Sequence, residues 1–447
     1  MLTLLLIWLG VGAVLLAVGM HGRHYSAGLP LAYFLGLSLI HTPGALLYLD
    51  GAAWDSVTVW TKVGFEQTVI GMVAFTAAVI AARYTVFAAS THQISLAEGP
   101  IDLATLDRLS LLYIGGGISY FVLMTFGKIP TLGAIISSLS SLLMVGACLR
   151  LWVAYEARNQ FKFWLTITLL PLLPLVTVIK DGFLGFGTYW LLAITCFAVN
   201  QSKQRIGYYL MAPLVAFVGL SVFVNYLAAR EDLRQLVWRQ QADVGDRLHR
   251  VVKVFEDFEW LDFSNSKHRN LIDLRLNQNQ LVGMAAARLD SEGVAYANGA
   301  TIRDMLIGLI PRALWPEKPA VGGGGSVVEH FTGVKFAEGT SVGAGQVLEF
   351  YVNFGTWGVI IGFLLYGWIL GIMDVRIIRC LRGGDQKGFL ARFMMCLAML
   401  QPGGNLLEIV VSVASAAVAG LALGSWADRY VASGRKGQLG RRAVELR

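Results

Sequence analysis

The sequence predicts an all-α, multi-pass membrane protein with about eleven transmembrane helices and one large loop between the eighth and the ninth. Of the 447 residues, 55% are hydrophobic and only 15% are charged, whereas a soluble domain carries about 25% charged residues. Apolar windows of about 20 residues, the length that crosses a bilayer as a helix, recur along nearly the whole chain. Lysine and arginine are also distributed unevenly between alternate loops, as is typical of membrane proteins.

The apolar windows define the predicted spans. The first window has the length of a signal-peptide core, but it lacks a basic leading segment and a convincing cleavage site, so we interpret it as a membrane helix. The eleven spans are approximately 2–20, 29–49, 68–88, 109–126, 131–150, 161–179, 183–199, 206–228, 345–374, 388–402 and 406–426.

The basic residues predict the orientation. The net charge is +7, and the terminal stretch 427–447 is rich in arginine, which indicates a cytoplasmic C-terminus rather than a nucleic-acid partner. With an odd number of spans, the N-terminus is then periplasmic. The short loops expected outside contain only Lys62, Lys128 and Lys180, whereas most inside loops contain arginine. We therefore predict a multi-pass protein of the bacterial inner membrane.

This topology divides the chain into three regions. They are N-terminal transmembrane helices at 1–228, a large periplasmic loop at 229–344, and C-terminal transmembrane helices with a basic cytoplasmic tail at 345–447. The loop is expected to face a compartment without ATP, so a nucleoside triphosphate is not expected as the substrate.

Three helices are predicted inside the loop. Apolar residues at helical spacing indicate amphipathic helices over 233–258 and over 269–289. A third apolar segment, 301–310, is too short to span the bilayer and is expected to dip into the membrane surface. It should end before Pro311, because the residue that precedes a proline disfavours the helical conformation.

The densest motif is IPRALWPEKP at 310–319. Its three prolines restrict the backbone, and Trp315 is typical of the lipid–water interface. Arg312 and Lys318, held at the membrane surface, would suit the capture of a lipid-borne diphosphate, because guanidinium and ammonium groups donate to phosphate oxygens. Alternatively, the two side chains contact lipid headgroups or pair with Glu317.

Together with the later motifs GTSVGAG and EFYVNFGTWGVIIG, this segment resembles the Wzy-type oligosaccharide repeat-unit polymerases, which make O-antigen and exopolysaccharide. The motifs cover roughly 269–371, and the hydropathy profile with one dominant periplasmic loop is similar too. The resemblance implies a metal-independent glycosyltransferase with a GT-C-like bundle and no cofactor. It would polymerise undecaprenyl-diphosphate-linked repeat units at the periplasmic face. Expected partners are that glycan, membrane lipids, and chain-length regulator and flippase proteins, with no nucleic acid.

The resemblance and the residue chemistry together suggest site residues. Glu349 is the first candidate for a general base and His330 the second, while Arg312 would stabilise the leaving diphosphate. Alternatively, Glu349 pairs with a loop arginine and His330 is an ordinary solvated histidine. The remaining candidates for substrate binding are Arg275, Arg288, Lys318, Lys180, Asn353 and Glu408.

Other features carry weaker expectations. Gly322–Gly325 lacks the Lys-Ser/Thr of a phosphate-binding loop and is interpreted as a flexible hinge. The seven histidines form no metal-binding motif. Arg83 is expected to snorkel to the cytoplasmic face. Small residues four apart, such as Gly358 and Gly362, are expected to pack helices within the bundle rather than between two subunits.

The sequence leaves three alternative functions open. An O-antigen-type ligase would use the same donor with a different acceptor. A lipid-linked glycan flippase or transporter would place polar groups and broken helices near the middle of the membrane. A non-catalytic scaffold of an export complex would tolerate substitution of Arg312 or Glu349 without a change in glycan chain length.

Overall fold

The computed structural model describes residues 1–21, 26–49, 56–88, 102–123, 133–174, 177, 184–201, 205–238, 256, 258–291, 293–312, 314–319, 322–336 and 342–445. The regular elements in these ranges are all helices. They are α1 (Leu2–His21), α2 (Leu29–Leu47), α3 (Ser56–Ala88), α4 (Leu103–Leu123), α5 (Gly133–Ser138), α6 (Ser141–Glu156), α7 (Gln160–Leu169), α8 (Leu184–Gln201), α9 (Arg205–Trp238), α10 (Ser266–Leu276), α11 (Gln278–Ser291), α12 (Ala300–Leu309), α13 (Gly324–Thr332), α14 (Gln346–Gly383), α15 (Gln386–Met399) and α16 (Leu406–Glu445).

Seven helical segments in the described part of the chain are long and apolar enough to cross a membrane. They lie at Leu2–Met20, Leu29–Leu47, Ser56–Val86, Ile135–Glu156, Met211–Ala229, Gln346–Gly383 and Leu406–Ser433. Each overlaps one of the eleven predicted spans, and the other four predicted spans overlap α4, α7, α8 and α15. The all-helical, multi-pass membrane class is therefore confirmed, while the count of eleven stays a prediction.

The centre of the bundle is the contact between α3 and α14. A methyl group on Gly367 would collide with the carbonyl oxygen of Phe75, and one on Gly371 would lie 3.1 Å from the Cα of Val79. The absence of side chains at these glycines lets the two backbones approach closely, which increases the dispersion contacts between the helices. The aromatic ring of Phe363 occupies the space beside Gly71 of α3.

The sequence predicted one continuous span over 345–374, but helix α14 is broken within this range. Phe354 leaves the helical conformation (φ −146°), and Gly355 has φ 61° and ψ −148°, a region that glycine adopts far more readily than other residues. The first arm, 346–353, folds back beside the second. Methyl groups on Gly358 or Gly362 would collide with Phe350. Phe350 and Gly362 are twelve residues apart and would lie about 18 Å apart in a straight helix, so this contact requires the chain to reverse.

A second break separates α15 from α16. These helices pack side by side through Gly420 against Ala391 and Gly424 against Lys387, so the predicted role of small residues in packing within the bundle is confirmed here. The connecting residues 400–405 lie against the start of α14, because the Gln346 side-chain amide donates to the carbonyl oxygens of Gln401 (2.8 Å) and Gly404 (2.9 Å). The bundle interior thus contains non-helical backbone whose carbonyl groups are satisfied.

The long loop is only partly described. Helix α9 continues to Trp238, and residues 239–255 and 257 of the amphipathic helix predicted over 233–258 lie outside the described residues. The single helix predicted over 269–289 is wrong in one respect: it is divided into α10 and α11 at Asn277 (φ −122°, ψ 62°). The helix predicted over 301–310 is confirmed as α12, which ends at Leu309 with Ile310 extended before Pro311.

Buried hydrogen bonds explain the break at Asn277. The Asn277 amide donates to the Thr61 hydroxyl (2.9 Å), and the Asn279 amide donates to the carbonyl oxygen of His41 (2.7 Å). The Oδ1 atom of Asn279 also lies 2.6 Å from His41 Nδ1, and the Thr68 hydroxyl lies 3.2 Å from the same nitrogen. These bonds dock α11 onto α2 and α3, and they outweigh the propensity for a continuous helix.

Arg83 does not snorkel, contrary to the sequence-based expectation. It is 7% exposed, and its guanidinium forms an ion pair with the fully buried carboxylate of Asp374 at 2.6 Å. The same guanidinium donates to the carbonyl oxygen of Val18, and the backbone N–H of Leu29 donates to the other oxygen of Asp374 at 3.0 Å. The pair therefore joins α1, the start of α2, α3 and α14.

The glycine run Gly322–Gly325 includes the first residues of a helix. Helix α13 begins at Gly324, which is buried, and a methyl group there would lie 2.7 Å from the carbonyl oxygen of Val342. The close approach of another backbone requires glycine at this position. At Gly324 the predicted flexible hinge is thus replaced by a tightly packed helix start.

Candidate functional site

The candidate site is a cavity of about 160 Å³ between the starts of α12, α14 and α16 and one face of α13. Helix α12 contributes Thr301 and Asp304, helix α13 contributes residues between Ser326 and Phe331, and the start of α16 contributes Asn405 and Leu407. The first arm of α14 supplies the remaining wall through Glu349. Residues that are distant in sequence therefore meet around one space.

Glu349 is the buried polar group of this cavity. It is 2% exposed, and its Oε2 atom accepts a hydrogen bond of 2.7 Å from the backbone N–H of Leu406. Its carboxyl group also accepts a hydrogen bond from the Thr301 side chain. Because Leu406 is the first residue of α16, the carboxyl group satisfies one of the N–H groups that a helix start leaves without a partner.

Asn353 connects the first arm of α14 to α12. Its Oδ1 atom accepts a hydrogen bond of 2.9 Å from the N–H of Gly299, and its amide donates to the Thr301 hydroxyl at 2.7 Å. The same amide donates to the carbonyl oxygen of Glu349, also at 2.7 Å. Asn353 thereby sets the position of Thr301, which in turn contacts the carboxyl group of Glu349.

Two further candidates lie near Glu349. His330 is exposed on α13 and is one of the residues that line the cavity. Glu408 is exposed in the first turn of α16, and its backbone N–H donates to the Asn405 side chain at 2.7 Å. It is close enough to Glu349 for an electrostatic interaction. The structure therefore brings Glu349, His330, Asn353 and Glu408 together.

Arg312 and Lys318 lie at the opposite end of α12 from Thr301. The Lys318 ammonium donates to the carbonyl oxygens of Gly308 (3.0 Å) and Ile310 (2.9 Å). Carbonyl groups at a helix end have no donor within the helix, and Lys318 supplies one here. The exposed Arg312 donates to the Lys318 carbonyl oxygen at 3.3 Å. From Thr301 to Leu309 the helix rises roughly 12 Å, so neither cation forms a wall of the cavity.

The other predicted cations are dispersed. Arg288 contacts α13 by donating a hydrogen bond of 3.1 Å to the carbonyl oxygen of His330. Arg275 is exposed in the last turn of α10. Lys180 lies outside the described residues. Their assignment to substrate binding stays a prediction.

Sequence reasoning missed Thr301, Asp304, Ser326 and Asn405, all of which line the cavity. Thr301 and Asp304 are three positions apart on the short helix predicted over 301–310, which places them on one face. Asn405 follows the Pro-Gly-Gly of the α15–α16 connection and precedes Leu406 as an N-cap, a position that favours asparagine. These two patterns were visible in the sequence, but nothing in it indicated that they meet.

Metal binding has no support in the described ranges. No group of three or more His, Cys, Asp or Glu side chains is arranged there to hold a metal ion. The polar side chains around Glu349 are carboxyl, hydroxyl, amide and imidazole groups, which suit hydrogen bonding to a hydroxylated ligand.

The helices define a multi-pass, helical membrane protein, and the cavity around Glu349 is its candidate binding site. The chain belongs to the family described as "Domain of unknown function (DUF8712)", which matches residues 63–418. No curated protein and no solved structure matches the chain.

Proposed function

We propose that this protein polymerises polyprenyl-diphosphate-linked oligosaccharide units at the periplasmic face of the bacterial inner membrane, with a periplasmic N-terminus and a cytoplasmic C-terminus. The observation that carries the proposal is the buried carboxyl group of Glu349 in a cavity of hydrogen-bonding side chains. Burial of an ionisable group is costly, and such groups in membrane proteins are frequently functional.

The proposed reaction transfers a growing glycan from its lipid diphosphate to a hydroxyl group of a second lipid-linked unit. Glu349 accepts the proton of that hydroxyl as its oxygen attacks the anomeric carbon of the donor. The new bond joins this oxygen to the anomeric carbon. The old bond from the anomeric carbon to the diphosphate oxygen breaks, and the diphosphate leaves with the electron pair.

The leaving diphosphate requires a cation outside the cavity. Arg312 is exposed and uses Nη1 for its hydrogen bond to Lys318, which leaves the other guanidinium donors open to a ligand. Arg303 is a further cation, because its side chain is 72% exposed and its neighbour Asp304 lines the cavity. Lys318 contributes by keeping the turn that carries Arg312 attached to the end of α12.

The test is deletion of the gene followed by gel and mass-spectrometric analysis of lipid-linked glycans. We expect single repeat units to accumulate on the carrier lipid while long chains disappear. Glu349→Gln and Arg312→Ala should reproduce the deletion with the protein still inserted in the membrane. Glu317→Gln is the matched control, because Glu317 is an exposed carboxylate in the same turn as Arg312. Long chains of normal length in the deletion strain would refute the proposal.

A lipid-linked glycan flippase is the second candidate, and the fold offers a specific observation in its favour. The reversed first arm of α14 and the break between α15 and α16 place non-helical backbone inside the bundle, a feature of transporters. A flippase would leave repeat units on the cytoplasmic face after deletion. A ligase would instead leave long chains on the carrier lipid, because only their transfer to the final acceptor would be lost.

A further inference from the structure

The charge of the cavity wall restricts its occupant. The wall contains the carboxyl groups of Asp304 and Glu349, and no lysine or arginine among the lining residues that the structure describes. An anionic group inside the cavity would therefore face two carboxyl groups, which is unfavourable at short range. Two described groups nearby can carry positive charge: the His330 imidazole, which lines the cavity, and the guanidinium of Arg303, which is 72% exposed and lies 3.5 Å from Asp304.

Several N–H groups at the helix starts around the cavity already have partners within the protein. Helix starts can bind phosphate through such groups. Here the N–H of Leu406 donates to Glu349, that of Glu408 to Asn405, and that of Gly299 to Asn353. The protein itself therefore already uses part of the donor set that a phosphate could contact at the starts of α12 and α16.

The remaining lining groups suit a neutral ring with hydroxyl groups. Thr301, Ser326 and Asn405 offer hydroxyl and amide groups, the two carboxyl groups accept from hydroxyl donors, and Phe331 contributes an aromatic side chain. The volume of about 160 Å³ is adequate for one ring, since an apolar cavity of about 150 Å³ elsewhere binds benzene.

We infer that this cavity is a subsite for one neutral or amino sugar residue, that it rejects sugars bearing a carboxylate, and that the lipid diphosphate binds outside it. The inference rests on the proposed function only in taking the occupant to be a sugar. Selectivity against an acidic sugar then arises from Asp304 and Glu349, which would repel a uronate.

The experiment is saturation-transfer NMR on the full-length protein in detergent, with pairs of methyl hexopyranosides and the corresponding methyl hexopyranosiduronates. We expect signals from at least one neutral glycoside and a response at least about tenfold weaker from its uronate partner, in line with a short-range repulsion of like charges. Inorganic diphosphate, added as a competitor, should leave the neutral signal unchanged.

Asp304→Asn tests the origin of the selectivity. Asp304 lies 3.5 Å from the exposed Arg303, and its amide analogue has nearly the same shape, so the cavity should persist. We expect this variant to bind the uronate several-fold better while it still binds the neutral glycoside. Asp290→Asn is the control, because Asp290 is exposed on α11 and does not line the cavity.

Equal signals from both members of every pair, displacement by diphosphate, or unchanged selectivity in Asp304→Asn would overturn the inference. So would the absence of any glycoside signal from a protein that elutes as a monodisperse species. The proposed function fails separately, if the deletion strain keeps its long chains. Selective sugar binding in such a strain would leave the subsite intact as part of a transporter or another enzyme.

Discussion

At the scale of single residues, Glu349 has two roles that different substitutions can separate. Its carboxyl group accepts a hydrogen bond from the first N–H of α16, and it is the proposed acceptor of a proton. A glutamine keeps an oxygen that can accept the hydrogen bond but removes the basic carboxylate, whereas a leucine removes both.

We therefore expect Glu349→Gln to keep the thermal stability of the protein but to abolish long glycan chains. Glu349→Leu should in addition lower the free energy of unfolding by about 1–3 kcal/mol, because a buried N–H loses its partner. Thermal unfolding followed by size-exclusion chromatography measures the stability of both variants, and gel analysis measures the length of the glycans. Long chains of normal length in the glutamine variant would exclude Glu349 as the base.

The ion pair between Arg83 and Asp374 is the second residue-scale feature that can be tested. Breaking a buried pair leaves one charge without compensation, so Asp374→Asn should destabilise the protein by about 3–5 kcal/mol. The double substitution Arg83→Met with Asp374→Met should cost less than either single change, because no lone charge remains. Thermal unfolding of Asp374→Asn, Arg83→Met and the double variant checks this order.

The control for the ion pair is Lys162→Met. Lys162 pairs with Asp107 at 2.6 Å, but its side chain is 37% exposed, and exposed pairs contribute only about 0–1 kcal/mol. A loss of stability in Asp374→Asn no larger than in Lys162→Met would contradict the assigned role of the buried pair.

At the scale of elements, the reversal within α14 determines where Glu349 lies. The first arm can carry Glu349 to the start of α16 because Gly355 turns the chain and Gly358 and Gly362 leave room for Phe350. In a straight helix Phe350 and Gly362 would be separated by about 18 Å.

In a cysteine-free background, we expect Phe350→Cys combined with Gly362→Cys to form a disulfide under mild oxidation. A disulfide requires Cβ atoms about 3.5–4.5 Å apart, which the folded-back arm permits and a continuous helix does not. The matched control is Gly371→Cys with Gly383→Cys, which has the same separation of twelve residues within the unbroken arm. Proteolysis between the two positions followed by non-reducing gel electrophoresis measures the cross-link, and its absence would indicate a straight span.

The turn itself makes a second prediction at this scale. Alanine at Gly355 would have to adopt a positive φ with extended ψ, so Gly355→Ala should cost about 1–3 kcal/mol. Gly383→Ala is the control, because no atom lies within 4 Å of a methyl group there and its φ is not positive. Thermal unfolding should separate the two variants, and equal stability would show that the turn tolerates a side chain.

At the scale of the whole molecule, the orientation in the membrane decides which compartment supplies the substrate. The proposed topology places the turn 310–319 outside and the basic tail inside. Leu314 is 79% exposed in that turn, which makes it a suitable labelling position that avoids the proposed site.

In the cysteine-free background, Leu314→Cys should react with a membrane-impermeant maleimide added to intact spheroplasts. Arg435→Cys in the tail should react only after the membrane is permeabilised, because the positive-inside distribution predicts a cytoplasmic tail. Mass spectrometry of the tryptic peptides measures both. The reverse pattern would place the turn in the cytoplasm and refute the proposed function.

The sequence by itself determined the membrane class, most helix positions and the end of α12 before Pro311. These features depend on local apolar length, periodicity and proline chemistry, which are properties of short segments. The sequence also indicated Glu349 as a candidate base and Asn353, four positions later, as a candidate for substrate binding. It did not indicate the reversal at Gly355, because a glycine within an apolar run is equally compatible with a straight span.

Only the tertiary structure decided which side chains meet. Arg83 pairs with Asp374 across 291 positions, and Glu349 meets Leu406 across 57. Hydrogen bonds of Asn277 and Asn279 to α2 and α3 divide a helix that its own periodicity would have continued. Such contacts depend on the relative placement of whole helices, and the hydrophobic pattern of each helix specifies which face is buried but not which partner covers it.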